Sequence, residues 1–234
     1  MTEEKNGLSL NRLTGNQLKV IALIAMTCDH VGKEFFPEMD ILQIIGRLAF
    51  PIFAYMIAEG CRYTRNRSRH LLSIAGLAVL CQIVYLVAER SLFQCILVTF
   101  SLSISVIYAV DYSKKKQTVA SKVWALTVCA IVYFVADILP IFLQQTDFEI
   151  DYGIWGVLLP VAVYFAPTKW KVPVTAAVLV PLCLAVGGIQ WYSLAAVVLL
   201  AFYSGKRGKA QIKNLFFIYY PMHLVVIYLL SLKY

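Results

Sequence analysis

Two adjacent runs decide how this chain folds: Leu18–Phe36, LKVIALIAMTCDHVGKEFF, and Ile41–Gly60, ILQIIGRLAFPIFAYMIAEG. Each is close to the ~20 apolar residues that cross a hydrocarbon core of about 30 Å. Together they read as a hairpin of membrane helices. Yet the first holds Asp29 and His30 and the second holds Arg47. A charge at bilayer centre costs about 2.5–3.5 kcal/mol on insertion scales. Such groups pair inside a bundle or line a wet cavity, and they mark functional sites. The rest of the chain reads as scaffold for that cluster, or access to it.

The composition agrees with a bilayer. Of 234 residues, 60% are hydrophobic and 15% charged, with mean hydropathy +0.73. Soluble domains are about 45–50% apolar and about 25% charged. Short alternating segments are absent, so a β-barrel is not expected. The expected fold class is therefore an all-α polytopic membrane bundle forming one domain, residues 1–234. Residues 1–17 form a cytoplasmic tail and 18–231 the bundle. The first apolar run has no small-residue cleavage site, so a cleaved signal peptide is not expected.

Nine spans are expected, at about 18–36, 41–60, 71–89, 92–110, 120–142, 151–166, 172–187, 189–204 and 212–231. The division at Gly187-Gly188 rests on those two glycines alone. With the N-terminus inside, seventeen of the 21 Lys and Arg face the cytoplasm, against Lys33, Arg90 and Lys233 outside. That is a positive-inside bias. It explains the net charge of +8 without a nucleic-acid partner. Membrane lipids are the expected surroundings.

Depth aligns the polar groups. At ~1.5 Å per residue, His30 lies about 18 Å above the cytoplasmic start of its helix, and Arg47 about 9 Å below the outer start of the next. His223, just after Pro221 in the last span, lies about 14–16 Å up. Asp137 and Asp151 fall in the same layer. Shared depth leaves contact open, because the rotation of each helix is not fixed. An Asp29–Arg47 pair of purely structural role, and a His223 bonded only to a neighbouring helix, are both open. Adjacent residues point about 100° apart on a helix, so Asp29 need not orient His30. No metal-ligand spacing accompanies the histidines, and no metal is expected. The six cysteines form no CxxC pair and read as small core residues.

Two basic loops, Glu59–His70 (EGCRYTRNRSRH) and Tyr203–Lys213 (YSGKRGKAQIK), combine cations with Gly, Asn, Ser or Thr. That chemistry holds phosphates, and it equally serves topology alone.

The ordered set DHVG (29–32), IGRLAFPIFAYMIAEG (45–60), RYTRN (62–66), DYGIWGVLLP (151–160), YSGKRG (203–208) and FFIYYPMHL (216–224) resembles the TraX family of membrane proteins over nearly the whole chain. That family takes its name from a conjugation protein needed for N-terminal acetylation of pilin. It looks related to the transmembrane acyltransferases that include the acyltransferase-3 proteins. The resemblance implies a bundle of about ten spans in the bacterial cytoplasmic (inner) membrane and acetyl-CoA as donor. It makes His30 the counterpart of the catalytic His, Arg47 the Arg opening the second-span motif, and His223 the late-span His.

Acyl transfer to an amine or hydroxyl needs a base and a stabilised oxyanion. His30 is the expected base, since imidazole titrates near neutral pH. Asp29 or Asp137 would steady its charged form, Arg47 would balance the carboxylates or face the oxyanion, and His223 could share the acid–base work. At the basic rim Glu59, Arg62, Arg65, Asn66, Lys206 and Arg207 are the expected CoA-binding residues. The acceptor, an exported peptide, a sugar or a lipid, is not specified. The alternative from another class is a proton-coupled transporter or flippase using the same Asp, His and Arg groups.

Overall fold

A computed structural model describes residues 13–209 and 213–233, and it is helical throughout those residues apart from connections and two isolated bridges. The helices are α1 (Gly15–Phe35), α2 (Asp40–Gly46), α3 (Ala49–Tyr63), α4 (Arg67–Ala88), α5 (Ile96–Lys116), α6 (Val119–Tyr133), α7 (Leu139–Phe142), α8 (Gly153–Phe165), α9 (Lys171–Val186), α10 (Ala195–Ala201) and α11 (Lys213–Ser231).

Among the described residues, five helical stretches are long and apolar enough to cross a bilayer: Asp40–Tyr63, Arg67–Ala88, Ile96–Lys116, Val119–Phe142 and Thr168–Val186. This is fewer than one for every apolar run. Gly153–Phe165, Gly188–Ala201 and Phe217–Ser231 are apolar but shorter. α1 is long enough, but Lys19, Asp29, His30, Lys33 and Glu34 dilute its hydropathy. It also starts at Gly15, inside the expected tail, because Thr14 and Gln17 form a capping box there. Residues 1–12 of that tail lie outside the described residues.

Proline explains where the long helices break. Pro51 has no N–H for the carbonyl of Arg47, and its ring clashes with that carbonyl. The expected second span accordingly divides at Arg47–Leu48 into α2 and α3. Pro140 stands in the same relation to Ala136. There the chain widens into a π-turn, Phe134–Ile138, between α6 and α7, and Asp137 sits in it. Gly187 (φ 73°) and Gly188 (φ 53°) take the left-handed turn that ends α9.

α3, α5 and α8 pack centrally, with α1 against α2 and α3, and α11 between α1 and α4. α4 and α6 turn most of their apolar surface outward. Lipid is as apolar as leucine, so close backbones and interhelical hydrogen bonds hold such helices together. Both occur here. Gly32 lies against Leu42 and Gly46 against Asp29, with no room for a Cβ. Ser103 donates to the Val157 carbonyl (3.0 Å), and Thr99 to that of Asp151 (2.8 Å).

Candidate functional site

The break at Arg47–Leu48 turns Arg47 toward α1. Its Nη2 pairs with Asp29 Oδ1, and its Nη1 donates to Gln190 Oε1 (3.2 Å). Lys33, one turn beyond Asp29, reaches the other carboxylate oxygen at 2.6 Å. Asp29 is buried and closely backed by Gly46. Gln190, also buried, must offer its carbonyl oxygen to a guanidinium that can only donate. Its Nε2 is then left without a hydrogen-bond partner among the described residues.

At the next position of α1, α11 brings His223 to His30. His30 Nδ1 and His223 Nε2 are 2.9 Å apart, with ring centroids at 5.0 Å. His223 Nδ1 lies 3.1 Å from the Tyr219 carbonyl oxygen. A carbonyl only accepts, so Nδ1 of His223 carries the hydrogen. In the neutral ring Nε2 is then the acceptor. His30 Nδ1 therefore donates to it, and His30 Nε2 keeps its lone pair. The relay fixes which nitrogen of His30 can take a proton. Tyr219 supports it twice, stacking on His223 (5.5 Å, 9°) and bonding Thr27 of α1 through its hydroxyl at 2.6 Å.

These groups adjoin a cavity of about 870 Å³ whose wall includes Asp29, His30, Lys33, Glu34, Arg47, Glu89, Asp137, Glu149, Asp151, Tyr152 and Tyr220. Carboxylates outnumber cations in it. Asp151 is held there by its backbone. Its N–H donates to the Gln94 carbonyl (3.1 Å) and its carbonyl accepts from Thr99. Tyr152 (φ 61°) and Gly153 (φ 51°) then turn sharply into α8. Non-glycine residues in that conformation cluster at functional sites.

Of the five residues expected to carry the chemistry, Asp29, His30 and Arg47 share this cavity, and His223 stands behind His30. Asp137 lies on the same wall but serves α8. Its Oδ1 accepts from the Ile154 N–H at 3.3 Å, capping the positive end of that helix.

The residues expected to hold CoA lie elsewhere, and none lines the cavity. Glu59 turns inward to a buried ion pair with Lys171, and Tyr203 donates to its other oxygen at 3.4 Å. Arg62 donates to the carbonyl oxygens of Tyr164 (2.7 Å) and Ala166 (3.4 Å). Asn66 caps α4 by accepting from the Arg69 N–H (2.9 Å). Arg65, Lys206 and Arg207 are exposed. Lys206 and Arg207 contribute their carbonyls to the first N–H groups of α1, at Gly15 (2.8 Å) and Asn16 (2.9 Å). An acyltransferase with CoA held at the basic rim needs a mouth open toward these loops. Instead the residues around the cavity come from the C-terminal ends of α1, α4, α9 and α11 and the N-terminal ends of α3, α5 and α8, the opposite end of the bundle. The physical reason is packing. Leu18, Ala22, Ile52, Tyr55, Met56 and the Glu59–Lys171 pair fill the basic end.

Sequence reading missed Gln190, Lys171 and Tyr219. Gln190 and Tyr219 are polar residues inside apolar stretches, which is the signal that could have found them; Lys171 reads as one more cation of the connection before α9 and carries no such signal. Among the described residues, no cluster of three or more His, Cys, Asp or Glu could hold a metal.

Comparison with known proteins matches residues 14–231 to the TraX protein family. An uncharacterized protein of Rickettsia prowazekii (strain Madrid E) is 53% identical over 38 residues, 16% of this chain and 15% of that protein. A probable fimbrial assembly protein, FimC of serogroup H1, from Dichelobacter nodosus is 34% identical over 73 residues, 30% of each chain. The chain thus spans less than a third of the length of either relative. No solved structure matches. With the match running from the cap of α1 to the last residue of α11, this chain belongs to the TraX family.

Proposed function

We propose that this chain is a membrane-embedded acetyltransferase, moving an acetyl group from acetyl-CoA to an amine or hydroxyl of a membrane-associated or exported acceptor. The observation that carries the reading is the His30–His223 contact beside a charged cavity. His30 Nε2 takes the proton from the acceptor as its nitrogen or oxygen attacks the thioester carbonyl. The new C–N or C–O bond forms, the C–S bond breaks, and the proton passes from His30 to the departing thiolate. His223 holds the His30 ring and its tautomer. Lys33 and Arg47, balanced by Asp29, supply positive charge near the oxyanion.

The acidic wall favours an amine over an anionic acceptor. It also repels CoA phosphates, so only the acyl end of the donor enters. A fimbrial assembly protein among the relatives supports an exported peptide as the acceptor. In this reading the chain makes nine passes of the bacterial inner membrane with its N-terminus inside, as the distribution of Lys and Arg supports. The cavity then faces the outer side. Donor phosphates stay at the basic end with Arg65, Lys206 and Arg207, and the acyl group must pass the Glu59–Lys171 pair.

The test uses purified protein in nanodiscs, acetyl-labelled CoA, and a short peptide with a free N-terminus beside an N-blocked control. Label should enter only the free peptide, and His30→Ala should slow its entry by at least about 10²-fold. No incorporation, or full incorporation by the folded His30→Ala variant, would overturn the proposal.

A further inference from the structure

A second charged cluster stands at the end of the bundle away from the cavity. Four cations gather where α3 ends, α4 begins, α5 ends and α8 ends. Arg62 of α3 lies 5.9 Å from the Tyr164 ring centroid and bonds the Tyr164 carbonyl. Arg67, first residue of α4, lies 5.0 Å from the Tyr108 ring centroid and pairs with Asp111 at 2.5 Å. Lys115 reaches the same Asp111 oxygen at 3.0 Å. Lys114 sits 4.0 Å from the Phe165 ring centroid.

We propose that Arg62, Arg67, Lys114 and Lys115, set around Tyr164 and Phe165, form a binding site for the phosphate of an anionic lipid headgroup.

Three observations carry it. First, the charges do not cancel: four cations face one carboxylate, leaving three positive charges at one place. Second, the cations are held. A lysine or arginine that only sets orientation needs no partner, whereas each of these rests on a ring, a carbonyl or Asp111. Such fixing lowers the entropy cost of gripping phosphate. Lys115 remains accessible, with 66% of its side chain exposed. Third, the cluster stands at the ends of apolar helices, beside α4, whose surface is mostly outward. That is the depth at which headgroups sit and basic side chains meet them.

The phosphates of an acyl-CoA share this chemistry but fit the position less well. Eighteen residues of α5 separate Ile96, on the cavity, from Lys114. At ~1.5 Å per residue that is about 27 Å. A donor bound here would have to span that length, whereas the outward surface of α4 lets a lipid headgroup reach the cluster directly from the bilayer.

The experiment titrates detergent-solubilised full-length protein with dioctanoyl-phosphatidylglycerol and, separately, dioctanoyl-phosphatidylcholine, by calorimetry. A third arm uses coenzyme A as the non-lipid phosphate. Phosphatidylglycerol should bind at least tenfold tighter than phosphatidylcholine. Lys114→Gln/Lys115→Gln, in the exposed last turn of α5, should weaken it about fivefold per cation removed. Arg67→Gln should do the same where it folds. Lys122→Gln/Lys209→Gln removes equal charge from exposed positions outside the cluster and should change nothing. Equal binding of the two lipids, or an equal loss in both double variants, would overturn the proposal. So would coenzyme A displacing the lipid with the same dependence on Lys114 and Lys115.

Discussion

His30 and His223, 193 residues apart in sequence, meet through a single contact of 2.9 Å between Nδ1 of the first and Nε2 of the second. The second ring is anchored by the backbone of its own helix, at the Tyr219 carbonyl. The two histidines are therefore not equivalent. One can present a lone pair toward the cavity, and the other determines which lone pair it is.

This asymmetry separates their variants. His30→Ala should lower kcat by about 10²–10⁴, the range of a lost general base. His223→Ala leaves the base present but free to turn or change tautomer. It should cost about 10²-fold or less and also alter the pH dependence of kcat/KM. Steady-state rates from pH 5 to 9 decide between them. Equal losses with identical pH profiles would contradict the relay.

Gly46 is a steric requirement of the Asp29–Arg47 pair. A methyl group there would occupy the space of the Asp29 side chain. Gly46→Ala should destabilise the protein by about 1–3 kcal/mol through overpacking, and activity should fall with the displaced carboxylate. Gly76, whose Cβ would meet nothing within 4 Å, is the control. Gly76→Ala should match or slightly exceed the parent in thermal unfolding.

Glu59 and Lys171 form a buried pair remote from the cavity. Removing one partner leaves the other charge buried, so Glu59→Gln or Lys171→Met alone should cost about 3–5 kcal/mol. The double variant should recover most of that loss. A double-mutant cycle in thermal unfolding reads the coupling.

Asp147 fastens the connection between α4 and α5 from outside the helices. Its carboxylate accepts from the Ser91 hydroxyl (2.5 Å) and the Leu92 N–H (3.0 Å). These bonds favour the charged form and hold its pKa below the usual carboxylate range. A lowered folded pKa gives order that is full above the unfolded value and lost as pH falls through the folded one. Leu92 amide exchange, corrected for its intrinsic rate, should therefore stay protected near neutrality and lose protection in acid. In Asp147→Asn that pH dependence should vanish.

Residue order alone dictates an all-helical membrane fold and picks out the polar groups that matter. Apolar runs fixed where helices form, since only a helix satisfies its own backbone in lipid. Pro51 behind Arg47 and Pro140 behind Ala136 fixed where they break. The cost of burying charge singled out Asp29, His30, Arg47 and His223. How each helix turns about its axis was settled by packing instead. In a soluble bundle a polar face reveals that rotation. Here lipid and protein interior are both apolar, so most faces carry no mark. Hence His223 on His30, Gln190 on Arg47, Glu59 turned to Lys171, and a cavity at the acidic rather than the basic end all came from long-range packing, which no local periodicity records.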